Sequence, residues 1–129
     1  MDPAATALHR IQMPVSHWLI IDATLDNEIS VEGQDGDPNQ TVELAINIRQ
    51  AGWAALPDWP EDAAQLGSWP RPGQIVTMAL TGPQWNLIVT ALDRWAAVAD
   101  SRGTSRGAEK AREIRTIAEQ LRQHLAHQR

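Results

Sequence analysis

Apolar positions alternate in the first two-thirds of the chain and recur at helical spacing in the last third. Between His17 and Leu25 the set Leu19, Ile21, Ala23 and Leu25 alternates with Ile20, Asp22 and Thr24, the period of a half-buried strand. Asp26-Asn27 offers a tight turn and residues 28–32 alternate again, so 17–32 reads as a β-hairpin. Val42, Leu44, Ile46 and Ile48 alternate strictly and predict a further strand over 41–49. A helix over 41–51, with Leu44, Ile48 and Ala51 on one face and Gly52 as its C-terminal cap, is the competing reading. Residues 74–80 supply a last short strand. The first dozen residues have no clear period, so 1–14 is expected to be a flexible arm or a short helix.

The helical end is patterned differently. Thr81-Gly82-Pro83-Gln84 fits a capping box, with proline tolerated in the first turn. Trp85, Ile88, Leu92, Trp95 and Ala99 follow at spacings of 3 and 4 until Gly103 ends the run. Ser105 can cap a second helix, in which Ala111, Ile114, Ala118, Leu121 and Leu125 repeat that spacing. The short connection 101–106 makes the helices, 83–101 and 106–126, antiparallel. The expected fold is a single α+β domain: a small antiparallel β-sheet of three or four strands packed against a C-terminal antiparallel helical hairpin.

Two segments fall outside either period. Residues 33–40 consist of turn and loop formers and include Asp35 and Asp37. Residues 53–73 hold Asp58, Trp59, Glu61, Asp62 and Trp69, with proline after both of those tryptophans, and read as a long connector. Loops of that length inside a compact domain are often functional.

Composition narrows the chemistry. With 129 residues one core is expected, and without cysteine there is no disulfide, thiolate nucleophile or Cys-bearing zinc site. All six aromatic residues are Trp, so Trp must fill every aromatic role, buried or exposed. Ten Arg against one Lys, with abundant Ala, points to a GC-rich bacterial or phage genome. The opening residues lack the basic start and apolar run of a signal peptide, and no stretch is long enough to span a membrane, so the expected location is cytoplasmic. Net charge is −5 but unevenly spread: residues 1–62 hold eleven acids against Arg10 and Arg49, a net of −9, whereas 63–129 carry +4. Either the two halves attract each other within the fold, or the acidic half faces a basic partner.

Candidate catalytic and metal motifs are weak. His124 and His127 share a helix face at i and i+3, but no nearby carboxylate completes a metal site. Asp35-Gly36-Asp37-Pro38-Asn39-Gln40 resembles the start of a calcium loop, yet Gln40 stands where that loop needs Gly and Ile46 where it needs a bidentate Glu. Phosphate-binding glycine loops, a GxSxG elbow and HExxH are all missing, so no cofactor and no enzymatic activity is expected. On the C-terminal helices Glu109, Glu113 and Glu119 interleave with the bases, pairing Lys110 with Glu113 and Arg115 with Glu119, which argues against a phosphate-tracking surface.

The run Ile75-Val76-Thr77-Met78-Ala79-Leu80-Thr81-Gly82-Pro83-Gln84-Trp85 and onward to Leu92, a strand feeding a capped helix with an early Trp, resembles small uncharacterised proteins of phages and mobile elements. The resemblance implies a protein that binds and modulates a host protein, in some cases a bacterial defence component. The expected function is therefore non-enzymatic protein binding by an accessory or inhibitor protein. Its expected surface comprises Asp35, Asp37, Asp58, Trp59, Glu61, Asp62 and Trp69, facing a partner with a basic surface. A homodimer assembled through the C-terminal helices is the alternative, and a small enzyme or His-based metal site the third reading.

Overall fold

The computed structural model describes residues 7–38, 40–56 and 69–127. Among these residues the order of elements is β1 (Leu8–Pro14), α1 (Val15–Gln34), α2 (Val42–Ala55), β2 (Ile75–Thr81), α3 (Gly82–Ser101) and α4 (Ser105–His127). The fold is α+β, a two-stranded antiparallel ribbon whose inner face is covered by helices, with the C-terminal helical hairpin in place. Ile11, Met13, Val76, Met78 and Leu80 point into the core, while Leu8, Arg10, Gln12, Ile75 and Thr77 face outward.

The second half matches its sequence pattern. Thr81 accepts from the backbone N–H of Gln84 (3.3 Å), and the Gln84 side chain accepts from the N–H of Thr81 (2.9 Å), so the capping box is formed and α3 starts there. The stripes of α3 and α4 face each other, burying Trp85, Ile88 and Leu92 against Ile114, Ala118 and Leu121. Gly107 lets the helices meet, since a Cβ there would overlap the Ala99 carbonyl.

The first half differs from its pattern in three places. Residues 17–32 form no hairpin, because α1 runs through them and buries Trp18, Ile21, Leu25, Glu28 and Glu32 at spacings of 3 and 4. Its inner face turns polar after Leu25, which conceals the helical period. Asp26, read as a turn residue, lies mid-helix and pairs with Arg49 (3.0 Å). Residues 41–49 are not a strand either: α2 buries Ala45, Ile48 and Gly52 and exposes Ile46. The helical reading of that segment holds, but Gly52 is not its cap. The helix continues to Ala55, and Gly52 serves packing, since a Cβ would overlap the buried Trp18 indole. Finally, residues 8–14 are no loose arm; they form β1. Among the described residues the segment 15–80 is thus mainly helical, and the sheet has two strands.

An internal repeat organises the whole. The unit β-α-α occurs twice, and an offset of 67, from Leu8 to Ile75, superposes strand on strand and first helix on first helix. At this offset Trp18 corresponds to Trp85, Ile21 to Ile88 and Leu25 to Leu92, all of them fully buried. In the second helices Ala45 and Ile48 correspond to Ala111 and Ile114 at an offset of 66. The ribbon pairs Leu8 with Thr81, Ile11 with Met78 and Pro14 with Ile75, so the central pair consists of equivalent residues. That is the register of a two-fold rotation. The second helix of each unit touches the strand of the other, α2 against β2 and α4 against β1, so the units interlock around one core.

Candidate functional site

Of the residues expected to form a binding surface, Asp58, Trp59, Glu61 and Asp62 lie outside the described residues. Asp35 is exposed just beyond the end of α1. Asp37 is half-buried and structural: at φ 53° its carboxylate accepts from the N–H groups of Thr41 (2.9 Å) and Val42 (3.2 Å), capping α2. Trp69 is half-buried and packs on the core, as a lid over it. His124 and His127 are exposed in the last turn of α4, and the described residues contain no cluster of potential metal ligands. No described helix is long and apolar enough to cross a membrane.

What α2 presents was missed in the sequence. Its outer side carries Glu43, Ile46, Gln50 and Trp53 at spacings of 3 and 4, with Ile46 39% and Trp53 44% exposed. In the sequence the segment 33–40 leads into α2, and the helix takes in the first residues of the segment 53–73, Trp53 among them. Its inner side is fixed to α1 by Arg49, which donates to both carboxylate oxygens of Asp22 (2.9 and 3.2 Å) and to Asp26. Hydrogen bonding to Asp22 raises the affinity of Arg49 for its proton above the ordinary arginine value.

A second feature lies where α1 crosses α3. Glu28 accepts from Trp95 Nε1 (2.8 Å), and Arg94 Nη1 donates to Glu28 and Glu32 (3.4 Å each). Both carboxylates are buried, and Glu32 Oε2 has no hydrogen-bond partner among the described residues. Glu28 and Trp95 are equivalent positions of the repeat, so their contact marks the pseudo-two-fold axis at the helix crossing.

On the other side of that crossing the structure is open. A cleft of about 350 Å³ has Ile20, Ala23 and Asn27 from α1, Trp95 and Val98 from α3, and Ile114 from α4 in its walls. Arg102 and Lys110 stand at it and also line an adjoining hollow with Arg106, Glu109 and Glu113. The bases of the hairpin divide into two sets. Arg115 pairs with Asp100, Arg122 with Asp93 and Glu119, and Lys110 with Glu113 at 3.9 Å. The guanidinium groups of Arg102 and Arg106 have no partner among the described residues. The sequence signal that could have found this cleft is the repeat itself, which shows where the two crossing helices carry unlike residues.

Comparison with known proteins finds no matching family, no matching curated protein and no matching solved structure.

Proposed function

We propose that this chain is a non-enzymatic protein-binding accessory or inhibitor protein, of bacterial or phage type, that acts in the cytoplasm on a host defence or regulatory protein. Its partner presents an apolar patch ringed by Lys and Arg. The observation that carries this reading is the exposed Ile46–Trp53 stripe of α2, flanked in sequence by acidic residues, in a half of the chain with a net charge of −9. A half-exposed Trp offers large contact area at low entropic cost, and acidic neighbours steer a basic partner onto it. The surface differs from the one the sequence suggested: α2 supplies the apolar centre, Asp35 an acidic edge, and Asp37 is already committed to holding the helix start. Dimerisation through α4 finds less support, since Ala111, Ile114, Ala118 and Leu121 of its apolar stripe are buried in the core of the chain itself and Leu125 is partly buried.

The test compares affinity purification from host cells using the wild type, Ile46→Glu and Asp35→Lys. Ile46 and Asp35 are exposed, so circular dichroism should be unchanged in both variants. A basic protein recovered by the wild type, lost with Ile46→Glu and weakened with Asp35→Lys in a salt-sensitive manner supports the reading. The same proteins at the same yield from all three would refute it.

A further inference from the structure

We propose that the cleft between α1, α3 and α4 is a binding site for a small amphiphilic carboxylate, with its apolar body against Ile20 and Val98 and its carboxylate between Arg102 and Lys110. The argument rests on the two sides of one helix crossing. At the offset of 67, Asn27 on the open side corresponds to Arg94 on the closed side, Ala99 to Glu32, and Arg102 to Asp35. The closed side holds a long cation together with Glu28 and Glu32, which fill the space and satisfy the charge. The open side has a short amide and an alanine in their places. It keeps cations at its edge and has no carboxylate where its counterpart has Glu32.

A ligand carboxylate supplies the charge that Glu32 supplies on the closed side. Arg102 presents a guanidinium with no partner among the described residues, a fork suited to bidentate carboxylate recognition, and Lys110 is held only loosely by Glu113 at 3.9 Å. Arg106, in the first turn of α4, adds a cation where the helix dipole disfavours one, so a nearby anion relieves that placement as well. The apolar walls select against fully polar anions, and about 350 Å³ lies within the range of small-molecule sites. Because the occupant is an anion, this site is separate from the α2 surface, which favours cations.

The probe is decanoate below its micelle concentration, followed by calorimetry and by shifts of the backbone amides around residues 20–27 and 95–102. Saturable binding at one site is expected, with decanol and decylammonium at least tenfold weaker. Arg102→Ala, at an exposed position after α3, should weaken decanoate binding at least tenfold without altering the circular dichroism. Ala99→Glu, which installs the carboxylate of the closed side, should abolish binding. Should Ala99→Glu fail to fold, Arg102→Ala alone decides. The proposal is overturned if decanoate does not saturate, if decylammonium binds equally well, or if folded Arg102→Ala binds as the wild type does.

Discussion

The two β-α-α units of this chain share a buried Trp-Ile-Leu set on their first helices and differ in nearly everything else. Strand, Trp, Ile and Leu coincide: Trp18 with Trp85, Ile21 with Ile88, Leu25 with Leu92. Beyond that core the first unit is acidic and the second is basic. The first carries a second helix of 14 residues, whereas that of the second has 23. Burial, not charge, is what the shared register requires. Near the axis even the inner positions diverge, since Glu28 can bond Trp95 in one chain, whereas a symmetric dimer would set Glu against Glu there. A chain that holds both units can therefore form an asymmetric helix crossing, closed on one side and open on the other.

The equivalence of the units is most severely tested at their tryptophans. Replacing either Trp18 or Trp85 with Ala removes a fully buried indole and should cost about 3–5 kcal/mol in chemical denaturation. Trp85→Ala should cost more by about 1 kcal/mol, because its Nε1 also donates to the His9 carbonyl (2.9 Å) and thereby ties the second unit to the first strand. A loss below about 1 kcal/mol at either site would mean that the repeat does not describe the core.

Why the second unit was legible and the first was not follows from the same residues. In α3 and α4 every position that must be buried is apolar, so the 3-and-4 spacing stands in plain view, and Thr81 and Gln84 mark the start. In α1 the buried positions after Leu25 are Glu28 and Glu32, and Thr24 is buried only by donating to the Ile20 carbonyl (2.8 Å). Polar residues on a buried face erase the helical period, while Ile20, Ile29 and Val31 on partly covered positions imitate a strand. In α2 the alternation of Val42, Leu44, Ile46 and Ile48 has the same effect because Ile46 is exposed. Tertiary partners that no local window contains, Arg94 and Trp95 for the two Glu and Trp18 for Gly52, decide these segments. The candidate sites were hidden for a similar reason: Ile46 and Trp53 fall on one helix face only once α2 is a helix, and Arg102 becomes notable only beside its counterpart Asp35.

A smaller change separates the units at their second helices. Gly52→Ala places a methyl group against the Trp18 indole, which is 1% exposed and cannot move aside, and should destabilise by about 1–3 kcal/mol. The corresponding position of the second unit is already alanine, Ala118, which is fully buried in the core. Ala118→Gly should cost only about 1 kcal/mol, the helix propensity difference. Thermal denaturation of both variants checks the contrast. Equal effects would mean that Gly52 carries no close packing.

The smallest expected difference lies at the starts of the first helices. Pro14 and His17 correspond to Thr81 and Gln84 at the offset of 67, yet α1 begins without any side-chain cap whereas α3 has both bonds of its capping box. Val15 instead directs its N–H to the Gln74 carbonyl (2.9 Å), so the chain before β2 takes part of the role that a cap takes in α3. The Pro14 backbone, at φ −59° and ψ 143°, already has the extended geometry of a cap residue and is close to that of Thr81 at −73° and 163°. The double variant Pro14→Thr/His17→Gln should thus transfer the box and stabilise the protein by about 0.5–1 kcal/mol, read as a raised denaturation midpoint. Thr81→Ala should lower it by a similar amount. If the transferred box gives no gain while Thr81→Ala still costs about 1 kcal/mol, the Gln74 contact already serves as the cap of α1, and the two helix starts are equivalent in energy though not in chemistry.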